Sequence, residues 1–220
     1  MAVTTSNQNA RPWPTVAAAV ALTAAALSVG YWALGLATML IFTAGFVGGL
    51  LLWLVWPSGG GWADIRAPYW IALLLFLAHR VEEKQTGGFF AFLAAVTGVP
   101  TPAVNSVPVV LLVALSAGAW LLVPVLMGGR GRPIGRYLAW TFFASLGLTE
   151  LAHFLVFPWL DPSGGAGYVP GMWTVVALAP VAWWGGMWRL TRGPSVESAS
   201  PGSARSNASV TPHRSSPPLR

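Results

Sequence analysis

The sequence predicts an all-α fold, a polytopic membrane helix bundle of about six transmembrane helices, and three observations predict it. Only 8% of the 220 residues are Asp, Glu, Lys or Arg, where a soluble globular protein carries about 25%. Apolar residues make up 55% of the chain and mean hydropathy is +0.63, more apolar surface than a water-soluble domain of this size can cover. The charges are also segregated: Arg11 and Asp64 enclose 52 residues without one charged side chain, and a single helix needs only about 20 to cross the hydrocarbon core. The same composition excludes a cytosolic enzyme, a disordered chain and a nucleic-acid-binding module, although the net charge is +6 and the pI about 10.8. With no cysteine there is no disulfide framework or thiolate site, so any metal must be held by His and carboxylate.

Two spans fit the first uncharged run, at about 14–33 and 36–56, after a short cytoplasmic segment 1–13. The break falls at Gly30-Tyr31-Trp32-Ala33-Leu34-Gly35, where glycines allow a tight reversal and the aromatic rings suit the headgroup region. A cleaved signal peptide does not fit, because the run far exceeds a 7–15-residue apolar core. After the polar, glycine-rich stretch from Pro57 to Ala67, a third span runs over about 68–85. A fourth covers Val107–Met127, a fifth Tyr137–Phe157 and a sixth Gly171–Leu190. Gly87–Pro100 is apolar but too short to cross, so it reads as an interfacial or re-entrant piece. The transmembrane domain thus covers 14–190. Eight Ser and five Pro among residues 191–220 leave too little apolar surface to offset chain entropy, which predicts a disordered tail.

Cytoplasmic flanks collect Lys and Arg. With the N-terminus inside, the inner face receives Arg11, Arg66, Arg130, Arg132, Arg136, Arg189, Arg192 and the tail arginines, and the outer face keeps Lys84 and Asp161. The expectation is a multi-pass plasma-membrane protein with both termini cytoplasmic, Gly128–Gly135 inside and Asp161–Gly167 outside. Trp53, Trp56, Trp62, Trp159 and Trp188 fall near span ends, as an aromatic belt requires.

Three acidic residues fall within the spans or at their ends, and two histidines accompany them. The third span reads His79-Arg80-Val81-Glu82-Glu83-Lys84 and the fifth Glu150-Leu151-Ala152-His153. At 100° per residue His79, Glu82 and Glu83 share an arc of roughly 100°, and Glu150 and His153 share a face. Counted from the cytoplasmic ends, the two groups differ in depth by only about 3 Å, so they meet in the outer half of the bilayer if spans three and five are neighbours. Ionisable groups in hydrocarbon are costly unless paired, hydrated or metal-bound, which makes them a candidate site. The alternative is a helix-end charge group with a structural Glu150/His153 pair. Two imidazoles with carboxylates suit zinc or a non-haem iron or manganese ion; no organic cofactor is indicated. The set is one carboxylate short of a di-iron bundle, and no helix carries the two histidines of a zincin. Arg80 is three residues from Glu83 and two from Glu82, so it can pair with Glu83 alone. That puts Glu82 on the metal with His79 and His153, with Glu150 or Glu83 as fourth ligand, and leaves Glu83 a supporting or general-base role.

The string His79-x-x-Glu82-Glu83 with Thr86-Gly87-Gly88-Phe89 resembles the HXXEE-motif family of bacterial integral membrane proteins. Asn105, His153 and the stretch Tyr168-Val-Pro170-Gly171-Met-Trp-Thr174 extend the resemblance over about 70–190, while Lys84 stands where that family commonly has an aromatic. The family has no known function. The resemblance adds Asn105, Tyr168 and Thr174 as site positions, with Asn105 or Tyr168 steadying developing charge in a reaction.

The leading functional expectation is a metal-dependent membrane enzyme, of hydrolase or oxygenase type, acting on a lipid-like substrate. A proton- or ion-coupled transporter and a structural membrane subunit are the alternatives. A relay needs polar groups along the whole pore, and the inner halves of the spans are almost wholly apolar.

Overall fold

The computed structural model describes residues 11–56, 59–129, 131–160 and 167–192. Most of the N-terminal segment 1–13, Arg130, Asp161 and nearly all of the tail 191–220 lie outside the described residues. The fold is an all-α helical bundle, with no strand among the described residues. Its elements are α1 (Trp13–Val55), α2 (Trp62–Gln85), α3 (Phe89–Thr97), α4 (Val107–Met127), α5 (Arg132–Leu155), α6 (Phe157–Leu160) and α7 (172–191). Prolines sit in the first turns of α1, α4 and α5, where the missing N–H costs nothing. Asp64 accepts the amide of Gly61 at 2.7 Å and closes the start of α2.

The first apolar run folds back on itself. At Gly35 the backbone takes φ 77°, ψ −171°, outside the helical region, a conformation that glycine reaches without a Cβ penalty. The two arms of α1 then lie side by side: the Arg11 guanidinium donates to the Trp56 carbonyl at 2.7 Å and sits over the Trp53 ring. Three segments are long and apolar enough to cross a membrane, Trp13–Ala37, Val107–Met127 and Arg132–Leu155, and Met39–Val55 is a shorter apolar helix. Many large apolar side chains of these helices and of α2 and α7 face outward, among them Leu74, Leu77, Val125 and Trp184.

α5 is the central helix. Residues 137–147 are all buried, and the stretch is apolar on nearly every side, with Thr141 and Ser145 as its polar members, as a helix enclosed by others requires. The second arm of α1 crosses it closely through Gly45 and Gly49. A Cβ at Gly45 would lie 2.8 Å from the Ser145 Cα, and one at Gly49 2.6 Å from the Thr141 Cα, so only glycine permits this approach. α7 wedges between α2 and α5: Gly185 abuts Pro68 of α2, and Gly186 abuts the Phe143 ring of α5. The backbone of α2 therefore runs closest to α7 and meets α5 through long side chains, including Tyr69 against Phe142 at 4.8 Å between centroids. α3, nine residues long, is too short to cross a bilayer; it packs with Phe157 and Val169.

The two ends of the bundle differ in chemistry. At one end Arg11 meets Trp56, Arg189 donates to the Asp64 carbonyl, and Gly135 packs on Met127. At the other end lie the α1 reversal with Val99 beside Gly35, the C-terminus of α2, and the residues around Glu150, His153 and Gly171.

Candidate metal centre

His79, Arg80 and Glu83 project from the last turns of α2, Glu150 and His153 from the end of α5, and the first turn of α7 closes the group. The local winding of α5 sets its share. Residues 145–149 form a π-helical turn, with the Glu150 amide reaching back to the Ser145 carbonyl at 3.3 Å. A tighter turn follows, in which the His153 amide bonds the Glu150 carbonyl at 3.1 Å. Such departures from α geometry redirect side chains and are frequent at functional sites; here Glu150 and His153 both turn toward α2.

Four side-chain atoms converge. Nε2 of His79 lies 3.1 Å from Oε2 of Glu150 and 3.3 Å from Oε1 of Glu83. Nε2 of His153 lies 3.3 Å from the same Glu150 oxygen and 3.7 Å from the same Glu83 oxygen. All four residues are buried. The imidazole rings meet edge to face with centroids 4.9 Å apart, and Phe89 and Phe157 enclose His153. The remaining carboxylate oxygens are bridged by Arg80, whose guanidinium reaches Oε2 of Glu83 at 2.6 Å and Oε1 of Glu150 at 3.0 Å while lying over the Phe76 ring. One cation thus holds both carboxylates in place and offsets one of their two charges.

The tautomer of His79 follows from its other nitrogen. Nδ1 lies 3.0 Å from the Gly171 carbonyl, which only accepts, and 2.9 Å from Oγ1 of Thr174, whose proton goes to that same carbonyl. Nδ1 therefore donates, and in the neutral ring Nε2 carries the lone pair. That lone pair confronts carboxylate oxygens, and neither Nε2 of His79 nor Oε1 of Glu83 has a hydrogen-bond partner. Electron pairs so disposed call for a cation between them, a proton on Nε2 or a metal ion. Two nitrogen or oxygen ligands about 2.0–2.1 Å from one tetrahedral zinc are about 3.3 Å apart, which is the spacing here. His79, Glu150 and His153 each offer a ligand atom within 4.8 Å of the others, so this buried group can hold a metal ion. The bond from Nδ1 of His79 to a backbone carbonyl is the support that metal-binding histidines ordinarily have.

Gly171 makes this approach feasible. Its φ of 95° favours glycine, and a Cβ would fall 2.9 Å from both Nδ1 of His79 and Cγ of Glu83.

Glu82 lies apart from the cluster. Its carboxylate accepts the amides of Trp173 and Thr174 at 3.0 and 2.8 Å and the Tyr168 hydroxyl at 2.5 Å, a cap on the positive end of α7. The sequence reading that gave Glu82 to the metal and left Glu83 free is thus not the arrangement found: Glu83 turns one oxygen to the histidines and the other to Arg80. Tyr168 and Thr174 both reach the motif, Tyr168 through Glu82 and Thr174 through His79. Asn105 does not; it is exposed in the turn before α4. Two participants escaped the sequence reading. Arg80 pairs with Glu150 across the helices as well as with Glu83, and the Gly171 carbonyl orients His79; no residue type could have announced the latter.

Beside the centre is a cavity of about 670 Å³, with Arg80, Glu83, Glu150 and His153 on its wall and Phe42, Phe76, Leu112 and Trp120 among its apolar lining. No family model, curated protein or solved structure matches this chain.

Proposed function

We propose that the protein is a metal-dependent enzyme embedded in the plasma membrane, with His79, His153 and Glu150 as ligands of a divalent ion, zinc or iron, and Glu83 as fourth ligand or general base. The observation that carries this reading is the convergence of the His79 and His153 Nε2 atoms on shared carboxylate oxygens at 3.1–3.7 Å, with Nδ1 of His79 committed to Gly171. A bound divalent ion supplies an activated water near neutral pH and polarises a carbonyl or phosphoryl oxygen. The chain's own residues do the rest. Gly171 and Thr174 fix the His79 ring, Arg80 orients both carboxylates, and the aromatic residues around His153 keep bulk water away. The apolar cavity suits a substrate that partitions into the bilayer.

Six crossings with both termini cytoplasmic complete the proposal. The arginine-rich end of the bundle is then inside and the His/Glu group lies toward the outer leaflet, in keeping with the distribution of basic residues. The resemblance to the HXXEE-motif family agrees with a site in which the histidine and second glutamate of that motif act together. Elemental analysis of the detergent-purified protein tests the reading: near-stoichiometric zinc or iron is expected, and its loss in His79→Ala and His153→Ala. A protein without transition metal after purification and reconstitution overturns it.

A further inference from the structure

The cavity has a direction that narrows the substrate. Along α4 its lining runs from Val109 through Leu112 and Ser116 to Trp120, a rise of about 16 Å along the helix. That length is a slot for an extended chain. At its other end it reaches Lys84, Gly88, Phe90, Thr101 and Val104, where α3 and the following loop lie. Between the slot and this mouth stand Glu83, Glu150 and His153. The polar groups are therefore part-way along the cavity, with hydrocarbon-like walls on one side and a cation on the other. Lys84 is exposed and has no acidic partner among the described residues. It follows Glu83 by one residue, and a lysine ammonium extends toward the headgroup level while its stem stays on apolar surface. Arg80, by contrast, is already paired with both Glu83 and Glu150.

We infer that the cavity binds a phosphate-bearing glycerolipid of the bilayer, with one acyl chain laid along α4 toward Trp120, the acyl ester at the His/Glu group and the phosphate at Lys84. This rests on the enzymatic reading above and names its substrate class. The corresponding reaction is ester hydrolysis. The oxygen of water bonds to the acyl carbon and the acyl C–O bond breaks. The glycerol oxygen receives a proton by way of Glu83, a second proton goes to solvent, and a fatty-acid carboxylate and a lysophospholipid depart. No oxidant or reductant is needed.

The test uses the full chain in nanodiscs with phosphatidylglycerol that carries a diazirine on one acyl chain, in the presence of chelator so that metal and turnover play no part. Photolysis is expected to place adducts on the inward residues Leu112, Ser116 and Trp120. Ala117→Phe, and the bulkier Ser116→Trp, should cut those adducts at least fivefold. Lys84→Glu should cut them several-fold for the phospholipid and leave the yield from the matching diazirine diacylglycerol unchanged. Adducts confined to outward residues such as Val110 and Leu121 overturn the pocket assignment. Equal yields from both lipids, insensitive to Lys84→Glu, overturn the headgroup assignment. If the inward adducts form but no metal-loaded protein releases fatty acid, the lipid site stands and the catalytic reading fails; if metal binds and the inward adducts are missing, only the substrate inference fails.

Discussion

Glu82 and Thr174 are joined directly, and Thr174 holds the same turn of α2 a second time through His79. The Thr174 amide donates to Glu82 at 2.8 Å, and the Thr174 hydroxyl lies 2.9 Å from Nδ1 of His79, three residues before Glu82 on α2. One turn of α2 therefore grips one turn of α7 by a carboxylate and an imidazole together. The consequence is a division of labour between adjacent glutamates. Glu82→Ala leaves two helix-end amides without their charged acceptor, at a cost of about 1.5–3 kcal/mol for such bonds. It should lower the melting temperature while the protein still binds metal near stoichiometry. Differential scanning fluorimetry in detergent with parallel metal analysis checks this; loss of metal in Glu82→Ala with unchanged thermal stability would reverse the assignment.

Glu150 should behave in the opposite way. Its Oε2 faces both imidazoles, so Glu150→Gln removes a charged ligand common to the two helices and is expected to weaken metal binding at least tenfold. Glu83→Gln should weaken binding less and abolish turnover. Isothermal titration with zinc separates the two variants.

Acid should release the metal. Imidazole and carboxylate ligands bind a cation only when deprotonated, so each proton taken up competes with the ion. Affinity is expected to be highest at neutral to mildly alkaline pH and to fall as pH is lowered. Equilibrium dialysis across that range, with His153→Ala as reference, measures it; an affinity that rises on acidification contradicts imidazole ligation.

Much of the frame was legible because it rests on residue types with one physical meaning. The reversal at Gly35 was readable from glycines in an otherwise unbroken apolar run, and the ends of α4 and α7 from Pro, Gly and charge. The matched depth of His79 and His153 followed from helix rise, and their meeting from that depth once the two spans are taken as neighbours. What stayed hidden depends on partners distant in sequence. Helical spacing allows either Glu82 or Glu83 to join His79, and the choice is made by the amides of Trp173 and Thr174. Arg80 was assigned to Glu83 on spacing, which is correct locally, but the same guanidinium spans to Glu150 and leaves the other Glu83 oxygen for the histidines. The wedge of α7 between α2 and α5 depends on Gly185 and Gly186, whose partners Pro68 and Phe143 lie far away in sequence.

Gly171 gives the most localised test of the centre. Its φ of 95° already disfavours any side chain, which costs about 1–3 kcal/mol, and a Cβ would press on Nδ1 of His79 and Cγ of Glu83 at 2.9 Å. Both groups belong to the proposed centre, so Gly171→Ala should displace the imidazole from its carbonyl and the carboxylate from the histidines at once. The expected result is a folded helical protein, judged by circular dichroism, with metal affinity lowered at least tenfold. Gly87→Ala serves as the control. It also carries a positive φ, of 114°, but a Cβ there meets nothing within 4 Å, so strain alone should lower stability and spare the metal. If the two variants bind metal equally well, the close packing of Gly171 on His79 does not govern the site.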